Sequence, residues 1–398
     1  MRATRTLRAA TGAVLTGALL LGAGGTAVAD EVRDKQWPLS ATAFDAQDIW
    51  KEATGKGVTV AVIDKGFRTT HQDLVGQFLP GKKFVAAGDR EDLRSGEDIR
   101  DHGTGMASLI AGHGHGPNGS EGIKGLAPDA KILPLVANKA TPEATRYAVD
   151  HGADVINMSY VADKLTPDMC QSIHYAIEKG VVVVAGVGND GWEMEEYPAG
   201  CPGVIGVGAV DEYGKAWDGN NFNSTVDVLA PGVDMAMAHG KSDTDYSVTS
   251  KGTSLATAYV SAAAALLKEK FPDYTPGQIA NRLVKAAGLA VSVKKQNLKL
   301  PDVHYGYGFI QPYGALTRDI PPGPPEGPLP MPKGKASATV IKPGADKGPN
   351  PDPPMGGKQK LLIFGGGTIG LLAVAGIAAT VVAVIRHRRK NAALHGRS

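Results

Sequence analysis

Five short runs of β-branched and aliphatic residues constrain the fold of this chain more than any other feature of its sequence. They are GVTVAVIDKG (57–66), AKILPLVAN (130–138), ADVINMSY (153–160), GVVVVAGVGN (180–189) and PGVIGVGAVD (202–211). A strand with one wet face alternates apolar and polar residues, whereas runs this continuous suit strands covered on both faces, the pattern of a parallel sheet. Between them lie the amphipathic segments TPEATRYAVDHGA and TPDMCQSIHYAIEKG, each closing on a glycine-containing turn. Strand, helix, strand repetition predicts a doubly wound α/β domain, with a central mostly parallel sheet and helices on both faces. In such a domain chemistry collects at the carboxyl ends of the strands.

The ends of the 398-residue chain read differently. Residues 1–29 carry Arg2, Arg5 and Arg8, then the apolar run GAVLTGALLLGAG, then AVA before Asp30. This is the order of a secretory signal peptide cut after Ala29. Residues 361–385, LLIFGGGTIGLLAVAGIAATVVAVI, hold no charged side chain and are long enough to cross a bilayer as one helix. RHRRK follows at once, so the positive-inside rule keeps residues 386–398 in the cytoplasm and the folded part outside. Residues 319–360 are rich in proline and poor in large apolar side chains, the composition of a semi-rigid stalk. One folded domain is therefore expected over residues 30–318 of a single-pass membrane protein.

Charge excludes one class of partner. With 42 basic and 40 acidic side chains the formal net charge is +2, and no long basic patch precedes the tail, so nothing points to nucleic acid. The only cysteines, Cys170 and Cys201, would meet oxidising conditions in an exported domain, and a disulfide between them is expected; two free buried thiols are the alternative. No Cys/His spacing resembles a zinc site, and no metal or cofactor is expected. His113 and His115 in GHGHGPNGSEG read as surface residues of a glycine-rich loop, and the acids of GDREDLRSGEDIRD alternate with arginines as in a solvated loop.

Polar residues fall where the fold would collect them. Asp64 ends the first apolar run, His102 opens a helical pattern in DHGTGMASLIAG, Asn189 ends the fourth run, and Ser254 follows a Gly-Thr turn into KGTSLATAYVSAAAALL. Singly, each has an ordinary structural reading, and Ser254 is as good a helix cap as a nucleophile. Jointly they supply four jobs of acyl transfer: a hydroxyl nucleophile, a base for its proton, a carboxylate to orient the base, and an amide donor for the oxyanion.

The chain resembles the subtilisin-like serine peptidases over residues 44–316. VAVIDKGF resembles the family's aspartate motif, HGTGMASLIAG its histidine motif, GTSLATAYVSAAAALL its serine motif, and VVVVAGVGND the segment of its oxyanion asparagine. The resemblance implies a three-layer subtilisin-like domain and an endopeptidase working through an acyl-enzyme on a protein or peptide substrate. It implies Asp64, His102 and Ser254 as catalytic residues, Asn189 as oxyanion donor, and a cleft strand carrying Ser159, Tyr160 and Val161. A narrower resemblance is to the mycosins, membrane-anchored subtilases of type VII secretion, through the opening QWPLSATAFDAQDIW, the single domain, the proline-rich stalk and the terminal apolar helix. It implies a type VII secretion membrane complex as partner. Two departures matter. Lys65 stands where a hydroxyl residue is usual, and INMSYVADK puts Tyr160, Val161 and Ala162 where glycines commonly let substrate backbone approach, which would narrow the cleft. They motivate an alternative, a catalytically weak subtilase fold serving as a scaffold or clamp.

Overall fold

The computed structural model describes residues 32–84, 93, 101–137, 141–162 and 165–331. The proposed signal peptide, membrane helix and basic tail, and most of the acidic segment before His102, lie outside them. In chain order the elements are α1 (Ala46–Glu52), β1 (Thr59–Asp64), β2 (Lys82–Phe84), α2 (His102–Ala111), β3 (His113–His115), β4 (Glu121–Lys124), β5 (Lys131–Ala137), α3 (Thr141–Asp150), β6 (Val155–Met158), α4 (Pro167–Glu178), β7 (Val182–Gly186), β8 (Ile205–Val210), β9 (Val228–Pro231), β10 (Met235–Ala238), β11 (Tyr246–Ser250), α5 (Thr253–Lys270), α6 (Pro276–Ala286), α7 (Val291–Lys294) and α8 (Pro312–Thr317).

Seven strands form one sheet in the order β2-β5-β1-β6-β7-β8-β9, and every neighbouring pair is parallel. The five apolar runs of the sequence are its five inner strands. Their side chains divide by pleat. Val60 and Val62 enter a core with α2, α5 and α6, while Ala61 and Ile63 enter a second core with α3 and α4. This is the three-layer arrangement expected, and it explains why the strands lack polar alternation: neither face is wet. Among the described residues no helix is long and apolar enough to cross a membrane.

Helix α5 is buried almost all round, and its alanines 256, 258 and 262–265 let it lie close on the sheet. Gly186 at the end of β7 makes room for its first turn, since a Cβ there would come within 2.9 Å of Thr253 Oγ1. Helix α6 starts on a capping box: Thr275 Oγ1 accepts from the Gln278 N–H, and Gln278 Oε1 accepts from the Thr275 N–H.

The disulfide is present. Cys170 in α4 is bonded to Cys201, with Cα atoms 5.3 Å apart, the ordinary span of such a bridge.

The segment read as a stalk from Asp319 begins instead as part of the domain surface. Residues 318–331 lie across α6 as a strap. Arg282 donates to the carbonyls of Ala315, Arg318 and Ile320 at 2.7, 2.8 and 2.9 Å, and Asn281 Nδ2 to those of Pro321 and Pro322. Gln278 Nε2 donates to Gly323 O, and Thr275 Oγ1 to Pro325 O. Leu329 ends the strap buried in the larger core. Gln278 shares one face of the helix with Asn281 and Arg282, three and four residues on, and Thr275 sits at its cap.

Candidate active site

The sheet brings two pairs of the sequence-predicted residues together at its carboxyl end. Asp64, the last residue of β1, is 2% exposed, and His102, the first of α2, is 34% exposed. The Nδ1 of His102 lies 2.9 Å from both oxygens of Asp64. A buried carboxylate there accepts the Nδ1 proton, fixing the tautomer that leaves Nε2 basic. The backbone N–H of Lys65 donates to Asp64 Oδ1 at 2.7 Å, while the Lys65 side chain is exposed. The position that departs from the usual hydroxyl thus holds the carboxylate through its main chain, which any residue supplies.

Ser254 is the second residue of α5, not its cap. Gly252 takes the cap position at φ 148°, a conformation that favours glycine. The Ser254 hydroxyl donates to Ser159 O at 3.1 Å, and the Ser159 hydroxyl donates to Ser254 O at 2.9 Å. This reciprocal pair stitches the start of α5 to the segment after β6. Beneath it, Asn157 Nδ2 donates to Ser159 Oγ at 3.0 Å, and Ser261 Oγ donates to Asn157 Oδ1 at 3.0 Å; Asn157 and Ser261 are fully buried. Asn157 and Ser261 were missed from sequence, because each reads singly as a small residue within an apolar element. Their signal would have been a polar atom at a position where both faces of a strand are dry.

Asn189, after β7, is exposed. Its Oδ1 accepts from the backbone N–H of Thr253 at 2.8 Å and from the Thr253 hydroxyl at 3.0 Å. With the oxygen committed on one side, the amide presents Nδ2 on the other, beside the helix start that carries Ser254. Because β1 and β6 are neighbours, with Val62 opposite Asn157, the Asp64 and Ser159 ends lie on adjacent strands about 4.8 Å apart.

The expected cleft strand is an irregular segment after β6, and it differs from expectation at Tyr160. Its ring packs against the core that holds α3 and α4, and its buried hydroxyl meets Thr141 Oγ1 at 3.0 Å. Burial pushes the Tyr160 phenol well above its ordinary range, and the charge of nearby Asp64 adds to this. Of the side chains expected to narrow the cleft, Val161 is the one that stands exposed. Ala162 N–H donates to Tyr197 O at 2.8 Å, fixing the segment after β6 against the segment after Asn189.

The histidines of the glycine-rich loop are more than surface residues. They form β3, where His115 Nδ1 meets buried Asp73 at 2.6 Å and His113 Nε2 meets Val75 O at 3.0 Å. Among the described residues no group of three His, Cys, Asp or Glu side chains is placed to hold a metal ion. His71 is buried in the turn beyond Asp64 with Nε2 3.1 Å from Asp245 O, and burial lowers its pKa.

The subtilase family model matches residues 55–308. Fervidolysin of Fervidobacterium pennivorans is 33% identical over 73% of this chain, which spans 45% of that relative's length. Mycosin-1 of Mycobacterium tuberculosis is 32% identical over 78% of this chain and 80% of its own. Among solved structures, MycP1 from the ESX-1 type VII secretion system superposes with a TM-score of 0.61 at 28% identity, over 75% of this chain and 89% of that one.

Proposed function

This chain belongs to the subtilase family, and from that premise we propose that it is a membrane-anchored, extracellular serine endopeptidase. The observation that carries the reading is the His102–Asp64 bond at 2.9 Å, on the strand end beside the one that holds Ser254 through Ser159. In this reading His102 Nε2 takes the Ser254 proton as the hydroxyl attacks a peptide carbonyl, then returns it to the leaving amine. Asp64 stabilises the imidazolium formed in between. The oxyanion meets Asn189 Nδ2 and the N–H groups at the start of α5. Water then releases the acyl group from Ser254, with His102 again as base.

The sequence supports a signal peptide (1–29), a membrane helix (361–385) and a cytoplasmic tail (386–398), with a peptidase domain from residue 30 that the strap carries to residue 331 and a proline-rich segment between it and the membrane helix. The likeness to mycosin-1 and to MycP1 supports a type VII secretion complex as partner and a secreted protein as substrate. A second reading, a clamp with little catalysis, draws on the side chains at 160–162; cells carrying only Ser254→Ala separate the two, since export at the wild-type level there favours the clamp.

Labelling of the full chain in membranes by a fluorophosphonate tests the chemistry. Wild type is expected to label and Ser254→Ala to remain unlabelled with an unchanged melting temperature. Equal labelling of both, or none of a folded wild type, overturns the reading.

A further inference from the structure

Helix α5 carries Ser254 in its first turn, so whatever sets the helix on the sheet also aims the hydroxyl. One stripe of α5 holds Ser254, Ala258, Ser261 and Ala265, and the last three are fully buried. Apolar burial is non-directional, and methyl groups give a sheet little to interlock with. It presses the helix down without fixing how far the helix is rolled about its own axis.

Polar bonds along this stripe supply that control. At the helix start, Ser254 and Ser159 exchange bonds through their hydroxyls and carbonyls. Seven residues on, about 10 Å along the axis, Ser261 Oγ donates to Asn157 Oδ1 at 3.0 Å. Asn157 Nδ2 donates to Ser159 Oγ at 3.0 Å, so one side chain joins both attachments. Asn157 and Ser261 are fully buried, and Ser159 is nearly so. In the sheet, Asn157 stands opposite Val62 of β1 and Val184 of β7. It therefore lies between the strand that ends in Asp64 and the strand that leads to Asn189. The remaining bonds near Ser254, from Gly252 N–H to Gly232 O and from Thr253 to Asn189 Oδ1, meet the helix at its start. One point of attachment leaves a helix free to roll; a second on the same stripe, two turns away, fixes it.

We propose that Asn157 is a positioning residue: with Ser159 and Ser261 it fixes the roll of α5 and so the direction of the Ser254 hydroxyl. This rests on Ser254 being the nucleophile and adds what aims it. The hydroxyl lies outside the Cα cylinder of about 2.3 Å radius, so a roll of about 20° carries it roughly 1 Å. A misplacement of that size costs about 10²-fold in rate.

The test uses the full chain with Asn157→Leu and Ser261→Ala combined. Donor and acceptor leave together, while the Ser159 hydroxyl keeps its bond to Ser254 O, so no buried donor is stranded and stability should change little. The fluorophosphonate labelling rate and kcat are expected to fall about 10²-fold, with KM within about twofold and the melting temperature within about 4 °C of wild type. Labelling and kcat at the wild-type level in the folded variant, or a raised KM with kcat unchanged, overturn the proposal. If the double variant does not fold, Ser261→Ala alone decides, with kcat lowered about tenfold at constant KM expected and an unchanged kcat overturning it. Crystal structures of wild type and variant in detergent give a readout independent of turnover. The Ser254 hydroxyl should be displaced by about 1 Å relative to the Asp64–His102 pair or occupy two positions, whereas a superimposable α5 overturns the proposal. A wild type that does not label refutes the catalytic reading, and the displacement then decides the role of Asn157 by itself.

Discussion

At the amino end of the sheet, carboxylates hold backbone. Asp154 Oδ2 accepts the Thr59 N–H at 2.9 Å, Asp227 Oδ2 accepts the Gly206 N–H at 2.8 Å, and Glu269 Oε2, near the end of α5, gathers the N–H groups of Thr54, Gly55 and Lys56. At the carboxyl end, Asp64 accepts the ring of His102, Ser159 and Ser254 exchange bonds, and Asn189 fixes the helix start. The first set fixes where strands begin and offers nothing further. The second joins side chains from different elements. The same residue types make a scaffold at one end and the proposed reaction site at the other, according to what they bond.

Substitutions at the two ends should therefore separate turnover from stability. The largest effect is expected from Asp64→Asn, which keeps the shape but favours the wrong imidazole tautomer, lowering kcat by about 10⁴-fold with little change in melting temperature. A loss under tenfold would erase the distinction by showing that Asp64 only supports the fold. Asn189→Ala comes next, with kcat down about 10²- to 10³-fold, or roughly 2.7–4 kcal/mol of barrier, in burst or steady-state assays. If KM rises while kcat holds, Asn189 serves substrate binding instead.

Two changes at the other end should move only stability. Burial pushes the Asp227 carboxyl up to about 7. Its folded pKa lies above the unfolded value of about 3.9, so stability falls as pH rises between these values and stays reduced above them. Asp227→Asn should raise the melting temperature at pH 8, by about 2–4 °C for each kcal/mol regained, and leave it nearly unchanged at pH 4. An equal gain at both pH values would show that ionisation is not the cause. The smallest effect is expected from Glu269→Ala, which strands three N–H groups at a cost of about 1–3 kcal/mol, read by denaturant titration, with peptide turnover unaltered.

The inner strands were legible because a strand dry on both faces leaves a continuous apolar run, and the four candidate catalytic residues because each ends or opens such a pattern. Less legible features depend on contacts distant in sequence. β2 and β9 have three and four residues at the sheet's edges, too short to show a pattern. Asn157 and Ser261 meet across 104 positions, so neither announces the other. Ser254 reads from sequence as either nucleophile or cap, and it is Gly252 that occupies the cap. The strap was hidden for a different reason: composition counts side chains, and this segment is held largely by its carbonyls.

That mode of attachment has a consequence for how the strap can change over time. Donors that reach only main-chain oxygens cannot tell one side chain from another, so most of its letters are free to drift while its spelling length is not. Exchanging Glu326 for another polar residue leaves the row of carbonyls in step with Thr275, Gln278, Asn281 and Arg282, whereas deleting one residue between Arg318 and Pro325 puts the whole row out of step.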